Sequence, residues 1–137
     1  MTPESGTEWL DRLSAEDWLA AAQNELAHSR AALERRGYRP GITHARRAAG
    51  MALNAVLRLA FDASWGRSYM DHVVAIAKDD QLPQVVKVAA QTLVQTPPAP
   101  PELVPLGRPD LGTWEAAAEI VGWARNRVQT LRAARTS

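Results

Sequence analysis

Arg67 and His72 are the residues whose types and spacing best suit chemistry, and both lie in the segment WGRSYMDH, residues 65–72. An arginine can hold a phosphate through two parallel hydrogen bonds, and a histidine can exchange a proton near neutral pH. The pair could therefore bind a phosphate group and move a proton beside it. In the alternative interpretation the pair is structural, with Arg67 bound to an acid such as Asp71 and His72 merely packed.

Three further arginines form a second candidate group. Arg46 and Arg47 lie near the start of a helix predicted over residues 41–61, and Arg58 lies in its last turns. Cations are disfavoured at the N-terminal end of a helix, so the Arg46 and Arg47 pair needs a compensating partner. That partner is either a bound anion or an acid of the preceding helix such as Glu25.

Several kinds of site are not indicated by the sequence. The chain has no cysteine, and its three histidines are scattered without convergent carboxylates, so we expect no metal site. It also contains no phosphate-binding glycine loop, serine nucleophile elbow or acid-rich metal loop. We therefore predict neither a metal nor a cofactor.

Charge is distributed unevenly along the chain, although the formal net charge is only +1. Residues 37–67 carry five arginines and one acid, which concentrates basic charge around the central helix. This favours a local anion preference and is too weak for a general nucleic-acid binder. No segment is apolar enough to span a membrane, and the start of the chain is acidic, so we expect a cytoplasmic protein without membrane contact.

The central helix, residues 41–61, is predicted to be the buried core of a bundle. Its apolar side chains recur at the three-and-four spacing of a helix face packed on a core. Gly50 lies in mid-helix, where glycine is costly, and therefore indicates a close contact. We predict two more strips on this helix: a polar one of Arg47, Asn54 and Arg58, and a partner-facing one of small or soft residues, His44, Ala48, Met51 and Ala55.

The remaining segments complete an all-α, antiparallel bundle of four to five helices in a single domain over residues 1–137. Residues 1–13 are predicted to be a polar tail and hydrophobic lead-in, and the six prolines of residues 96–112 to be an extended crossing loop. Short connections favour antiparallel neighbours. The other predicted helices are 15–36 capped by Ser14, 69–78 capped by Ser68, 83–93 beginning at Pro83, and a last helix capped by Thr113.

The order of these segments resembles the HEPN superfamily of small prokaryotic helical-bundle proteins. A long first helix, a turn with Gly-Tyr-Arg, the helix ARRAAGMALNAVL at residues 45–57 and a loop with an Arg/His segment carry the resemblance. It covers about residues 18–93 and the position of the last helix. The resemblance implies an HEPN-like bundle that forms a homodimer.

The resemblance also implies two functions. Many HEPN proteins are metal-independent endoribonucleases with an arginine and a histidine four to six residues apart at the dimer interface, which implies that Arg67 and His72 are catalytic. Arg46, Arg47 and Arg58 would then bind the RNA anion. Other members are non-catalytic toxin–antitoxin modules that bind nucleotides, RNA or protein and partner a nucleotidyltransferase. Both functions remain open at the level of sequence.

Overall fold

A computed structural model describes residues 7–97 and 107–136, and these residues are all-helical, as predicted. A single 3₁₀ turn at Ala63–Trp65 interrupts the chain between α3 and α4. The α-helices are α1 Glu8–Asp11, α2 Ala15–Glu34, α3 Tyr38–Leu59, α4 Tyr69–Ala77, α5 Gln84–Gln95 and α6 Gly112–Thr136.

Helices α2 and α3 form the antiparallel hairpin that the short connection predicts. Ser14 caps α2 as expected, because its hydroxyl accepts a hydrogen bond from the backbone N–H of Asp17 at 3.1 Å. The central helix begins three residues earlier than predicted, at Tyr38. Pro40 lies in the first turn of α3, where a missing N–H costs little.

Helix α3 is the core of the molecule, with an unbroken buried run from Ala48 to Leu57. It packs against α2, α4 and α6, and α5 closes the bundle against α4 and α6. A helix surrounded on several sides must be apolar on more than one face. This explains two corrections to the predicted strips of α3.

The first correction concerns Asn54, which was placed on an exposed polar strip with Arg47 and Arg58. Both arginines are exposed, but Asn54 is only 1% exposed. The second concerns the partner-facing strip, of which Ala48, Met51 and Ala55 are buried inside the single chain. These three residues are packed by the chain's own helices, and only His44 of the strip is partly exposed.

Gly50 marks the tight contact that its mid-helix position predicted. A Cβ atom at this position would lie 2.1 Å from Cβ of Tyr69, at the start of α4. The absence of a side chain at Gly50 therefore lets α4 approach α3 closely enough for residues of the two helices to touch.

The ends of the bundle differ in detail from the prediction. Part of the predicted tail is helical, since α1 occupies Glu8–Asp11, and residues 1–6 lie outside the described part. Residues 98–106 of the predicted proline-rich crossing also lie outside it. The last helix starts at Gly112, whose backbone N–H binds Oδ1 of Asp110 at 2.8 Å, so Thr113 is not its cap.

Candidate functional site

A surface pocket of about 300 Å³ lies where α1, α3 and the start of α4 meet. Of the described residues that line it, two are arginines and none is acidic. The lining residues are Trp9, Arg12, Asn54, Arg67, Ser68 and Tyr69. The pocket thus includes Arg67 from the predicted pair, but it also includes three residues that the sequence did not predict as site residues, Trp9, Arg12 and Asn54.

Two anchors hold α1 beside the pocket. The indole N–H of Trp18 donates to the backbone oxygen of Leu10 at 2.9 Å. Arg58 donates to the backbone oxygen of Leu13 at 3.1 Å and forms an ion pair with Asp11 at 2.8 Å. A one-turn helix is not stable by itself, so these contacts fix the position of its neighbouring pocket residues.

On the opposite side, the loop before α4 positions Arg67. Gly66 has a positive φ of 71°, and a Cβ there would lie 2.6 Å from Cβ of Asp71, so only glycine fits this turn. Ser68 and Asp71 form the reciprocal cap predicted for α4: the hydroxyl of Ser68 accepts from Asp71 N at 3.0 Å, and the Asp71 carboxylate accepts from Ser68 N at 3.2 Å.

The side chain of Arg67 is exposed and lies over an aromatic ring. Its guanidinium carbon is 5.9 Å from the ring centre of Trp9, within the range of a cation–π contact. Only the backbone N–H of Arg67 approaches Asp71, at 3.4 Å, so the ion pair considered above is not formed among the described residues. Arg12 lies across the pocket and donates to the backbone oxygen of Trp9 at 3.3 Å.

His72 lies behind the pocket, in the core. It is 0% exposed, its Nδ1 is 2.8 Å from the backbone oxygen of Trp65, and its Nε2 is 2.8 Å from the amide of Asn54. Its ring also contacts Trp9, with ring centres 5.7 Å apart. His72 is therefore not open to the pocket, because Asn54 and Trp9 separate the two.

Burial lowers the pKa of His72 below its ordinary value near 6.5, although the hydrogen bond to Trp65 opposes the shift. The main cause of the shift is the loss of water around the ring, and it favours the neutral histidine. Hydrogen bonding from the backbone of Ser68 lowers the pKa of Asp71, which stays an ionised cap.

The three other candidate arginines do not converge with Arg67. Arg46 donates to the backbone oxygens of Leu93 and Thr96 at 3.0 and 2.7 Å, and so caps the C-terminal end of α5. Arg47 pairs with Glu25 at 3.3 Å, as the structural alternative predicted. Arg58 lies about 18 Å from Arg46 along the axis of α3. It pairs with Asp11 of α1.

Metal and membrane functions find no support in the described residues. No group of three or more histidines or acids there is arranged to hold a metal ion. Across residues 7–97 and 107–136, no helix is both long and apolar enough to cross a bilayer. His28 and His44 lie together at the surface with ring centres 5.2 Å apart, and His44 binds Glu25 at 2.7 Å.

Comparison of the chain with family models, curated proteins and solved structures gives no match. The HEPN resemblance therefore stays a prediction, and the geometry of the pocket carries the functional argument.

Proposed function

We propose that this protein is a non-catalytic binding module for phosphate-bearing ligands, a nucleotide or a segment of RNA. The pocket that contains Arg12 and Arg67 would hold the phosphate, and Trp9 beside it would offer an aromatic surface to a base. The observation that carries this proposal is the lining of the pocket, which pairs two arginines with no carboxylate.

Electrostatics favours an anion in this pocket. Arginine binds phosphate through charge-assisted hydrogen bonds, and two arginines from different elements can grip it from two directions. Two acids close to the pocket are engaged elsewhere, since Asp11 pairs with Arg58 and Asp71 caps α4. Neither Arg12 nor Arg67 forms an ion pair among the described residues, which favours an anionic ligand.

The position of His72 favours binding over catalysis. Both ring nitrogens are engaged in hydrogen bonds, and the ring has no contact with solvent. A general base must come within hydrogen-bond distance of the proton that it removes. His72 would have to break its bonds to Trp65 and Asn54 before it could do so.

Titration of the protein with a labelled RNA pentamer tests the proposal. With two phosphate contacts, a plot of log affinity against log salt should have a slope of about −1.4. The Arg67→Gln and Arg12→Gln proteins should each bind about tenfold more weakly, with the slope roughly halved.

Arg35→Gln is the matched control, because Arg35 is exposed and lies at the far end of α2, about 30 Å from its start. It removes the same charge and should leave binding unchanged. Equal losses in all three variants would mean that only net charge matters, and the pocket proposal would be wrong.

The endoribonuclease is the second candidate, supported by the Arg67 and His72 spacing and by the hydrogen bond between His72 and a pocket residue, Asn54. In this mechanism Arg67 holds the scissile phosphate, and His72 takes the proton of the 2′-hydroxyl so that this oxygen attacks phosphorus. The bond from phosphorus to the 5′-oxygen of the next nucleotide breaks, and that oxygen leaves with a proton. Cleavage of RNA in a chelator, with a cyclic phosphate product and with DNA left intact, would favour it and contradict the non-catalytic proposal.

The nucleotidyltransferase partner rests on the HEPN resemblance alone, and the homodimer on that resemblance and on the partner-facing strip of α3. Three residues of that strip are buried, so a dimer would need another surface. Light scattering at micromolar concentration measures the oligomeric state directly.

A further inference from the structure

The hydrogen bonds of His72 determine how Asn54 is oriented toward the pocket. Nδ1 of His72 lies 2.8 Å from the backbone oxygen of Trp65. A carbonyl oxygen only accepts hydrogen bonds, so Nδ1 must carry the proton. This assignment follows from the partner alone and holds for the neutral and the charged ring.

The other ring nitrogen must then accept. The ring is fully enclosed, and no carboxylate bonds to it, since the side chain of its neighbour Asp71 caps α4 at the surface. A buried ring without a bound counter-charge is neutral, and its Nε2 carries a lone pair. The structure places Oδ1 of Asn54 2.8 Å from Nε2. An acceptor cannot face that lone pair at such a distance, so the amide must be turned to present its NH₂ group to Nε2. A half-turn of the amide exchanges its oxygen and nitrogen without changing its shape.

The second polar atom of the Asn54 amide faces the pocket. This atom makes no hydrogen bond to a described residue. It is also not fully enclosed, because the fully enclosed side-chain polar atom without a partner in the described part of the chain is Tyr38 Oη. The amide atom is therefore open to the pocket that Asn54 lines. By the assignment above, this atom is the carbonyl oxygen Oδ1.

We propose that Asn54 is a specificity-determining residue, whose Oδ1 accepts a hydrogen bond from a sugar hydroxyl of the phosphate ester held by Arg12 and Arg67. This inference rests on the proposed function. The pocket then combines two cationic donors with one neutral acceptor. A phosphate oxygen next to Oδ1 would bring two hydrogen-bond acceptors together, which is unfavourable. The phosphate is therefore expected to bind the arginines, and a hydrogen-bond donor of the ligand to bind Asn54.

This arrangement distinguishes AMP from its deoxy analogues, which carry the same charge. Inorganic pyrophosphate satisfies the arginines only, whereas AMP brings a phosphate together with its 2′- and 3′-hydroxyls. Removing the hydroxyl that binds Oδ1 leaves a desolvated acceptor unpaired. The deoxy analogue should therefore bind about tenfold more weakly.

Three titrations on the whole protein test the inference: AMP against 2′-deoxy-AMP, AMP against 3′-deoxy-AMP, and pyrophosphate alone. The proposal expects pyrophosphate to bind, and one of the two deoxy analogues to lose about tenfold in affinity, which also identifies the hydroxyl. In the Asn54→Ala protein, AMP and that analogue should bind equally. If pyrophosphate binds but AMP and both analogues bind alike, the role of Asn54 is wrong while the phosphate pocket stands. If pyrophosphate does not bind, the pocket itself is wrong, and the role of Asn54 with it.

The tautomer can be measured without any ligand. Long-range ¹H–¹⁵N correlation of the His72 ring should show a protonated Nδ1 and an unprotonated Nε2. A protonated Nε2 would turn the NH₂ group of Asn54 toward the pocket and overturn the inference.

Discussion

His72 Nε2 lies 2.8 Å from the side-chain amide of Asn54, and this hydrogen bond joins α4 to α3 inside the core. Both residues are almost completely buried, yet one lines the pocket and the other lies behind it. A buried polar pair of this kind contributes little net stability when intact and costs much when one partner is removed. It therefore links the stability of the bundle to the shape of the candidate site.

The first prediction follows from the burial of His72. We expect His72→Ala to lower the free energy of unfolding by about 2–4 kcal/mol, because it leaves a cavity and two unpaired polar groups at Trp65 and Asn54. Urea denaturation followed by circular dichroism measures the change. An unaltered midpoint would mean that His72 is not enclosed.

The second prediction concerns pH. The pKa of His72 is lowered in the fold, so the unfolded chain binds a proton more readily than the folded chain. Stability from this group is complete above the ordinary pKa near 6.5 and is lost as pH falls below it, by at most about 1.4 kcal/mol per pH unit.

His72→Gln provides the comparison for this pH effect. Its stability should fall less than that of the wild type between pH 7.5 and 5.5. The other two histidines, His28 and His44, are the same in both proteins. Equal slopes would show that His72 has no shifted pKa.

The third prediction uses two glycines of the bundle. Gly50→Ala should destabilise by about 1–3 kcal/mol, because the new methyl group would meet Tyr69. Gly122→Ala is the matched control in α6, where a Cβ would meet nothing within 4 Å, and it should stabilise by about 0.5–1 kcal/mol. Thermal unfolding of both proteins measures the two effects. Shifts of the unfolding temperature with the same sign would contradict the packing of α4 on α3.

The fourth prediction separates a buried strip from a dimer surface. Ala48→Glu should unfold the protein or cost more than about 4 kcal/mol, since it places a charge in the core. Thr43→Glu, an exposed position of the same helix, should be close to neutral. A folded, monomeric Ala48→Glu protein would instead support the dimer strip.

Much of the fold could be predicted from the sequence because its signals are local. Ser14 and Ser68 mark helix starts, and Gly50 marks a close approach, since capping and backbone clearance depend on near neighbours. The start of α3 was predicted three residues too late. A proline is common both shortly after the end of a helix and in the first turn of one, and Pro40 fits both positions. The burial of Asn54 depends on helices distant in sequence, although an Asn flanked by Leu53 and Ala55 in an apolar run was a usable signal.

The candidate site was only half predicted. Arg67 was found from its pairing with a histidine, while Arg12 and Trp9 belong to a one-turn helix whose position depends on tertiary contacts. The anion surface expected from Arg46, Arg47 and Arg58 is not assembled, because each arginine has a partner of its own. Spacing along one helix gives no information about such partners.

The arginine side chains provide the most direct test that the pocket binds phosphate. The Nε–Hε signals of the protein can be followed by NMR while inorganic pyrophosphate is added at low salt. We predict saturable shifts at Arg12 and Arg67 and none at Arg46 or Arg47, whose side chains are engaged elsewhere. Shifts confined to other arginines, or no saturable shift at any, would contradict a phosphate site between α1 and α4.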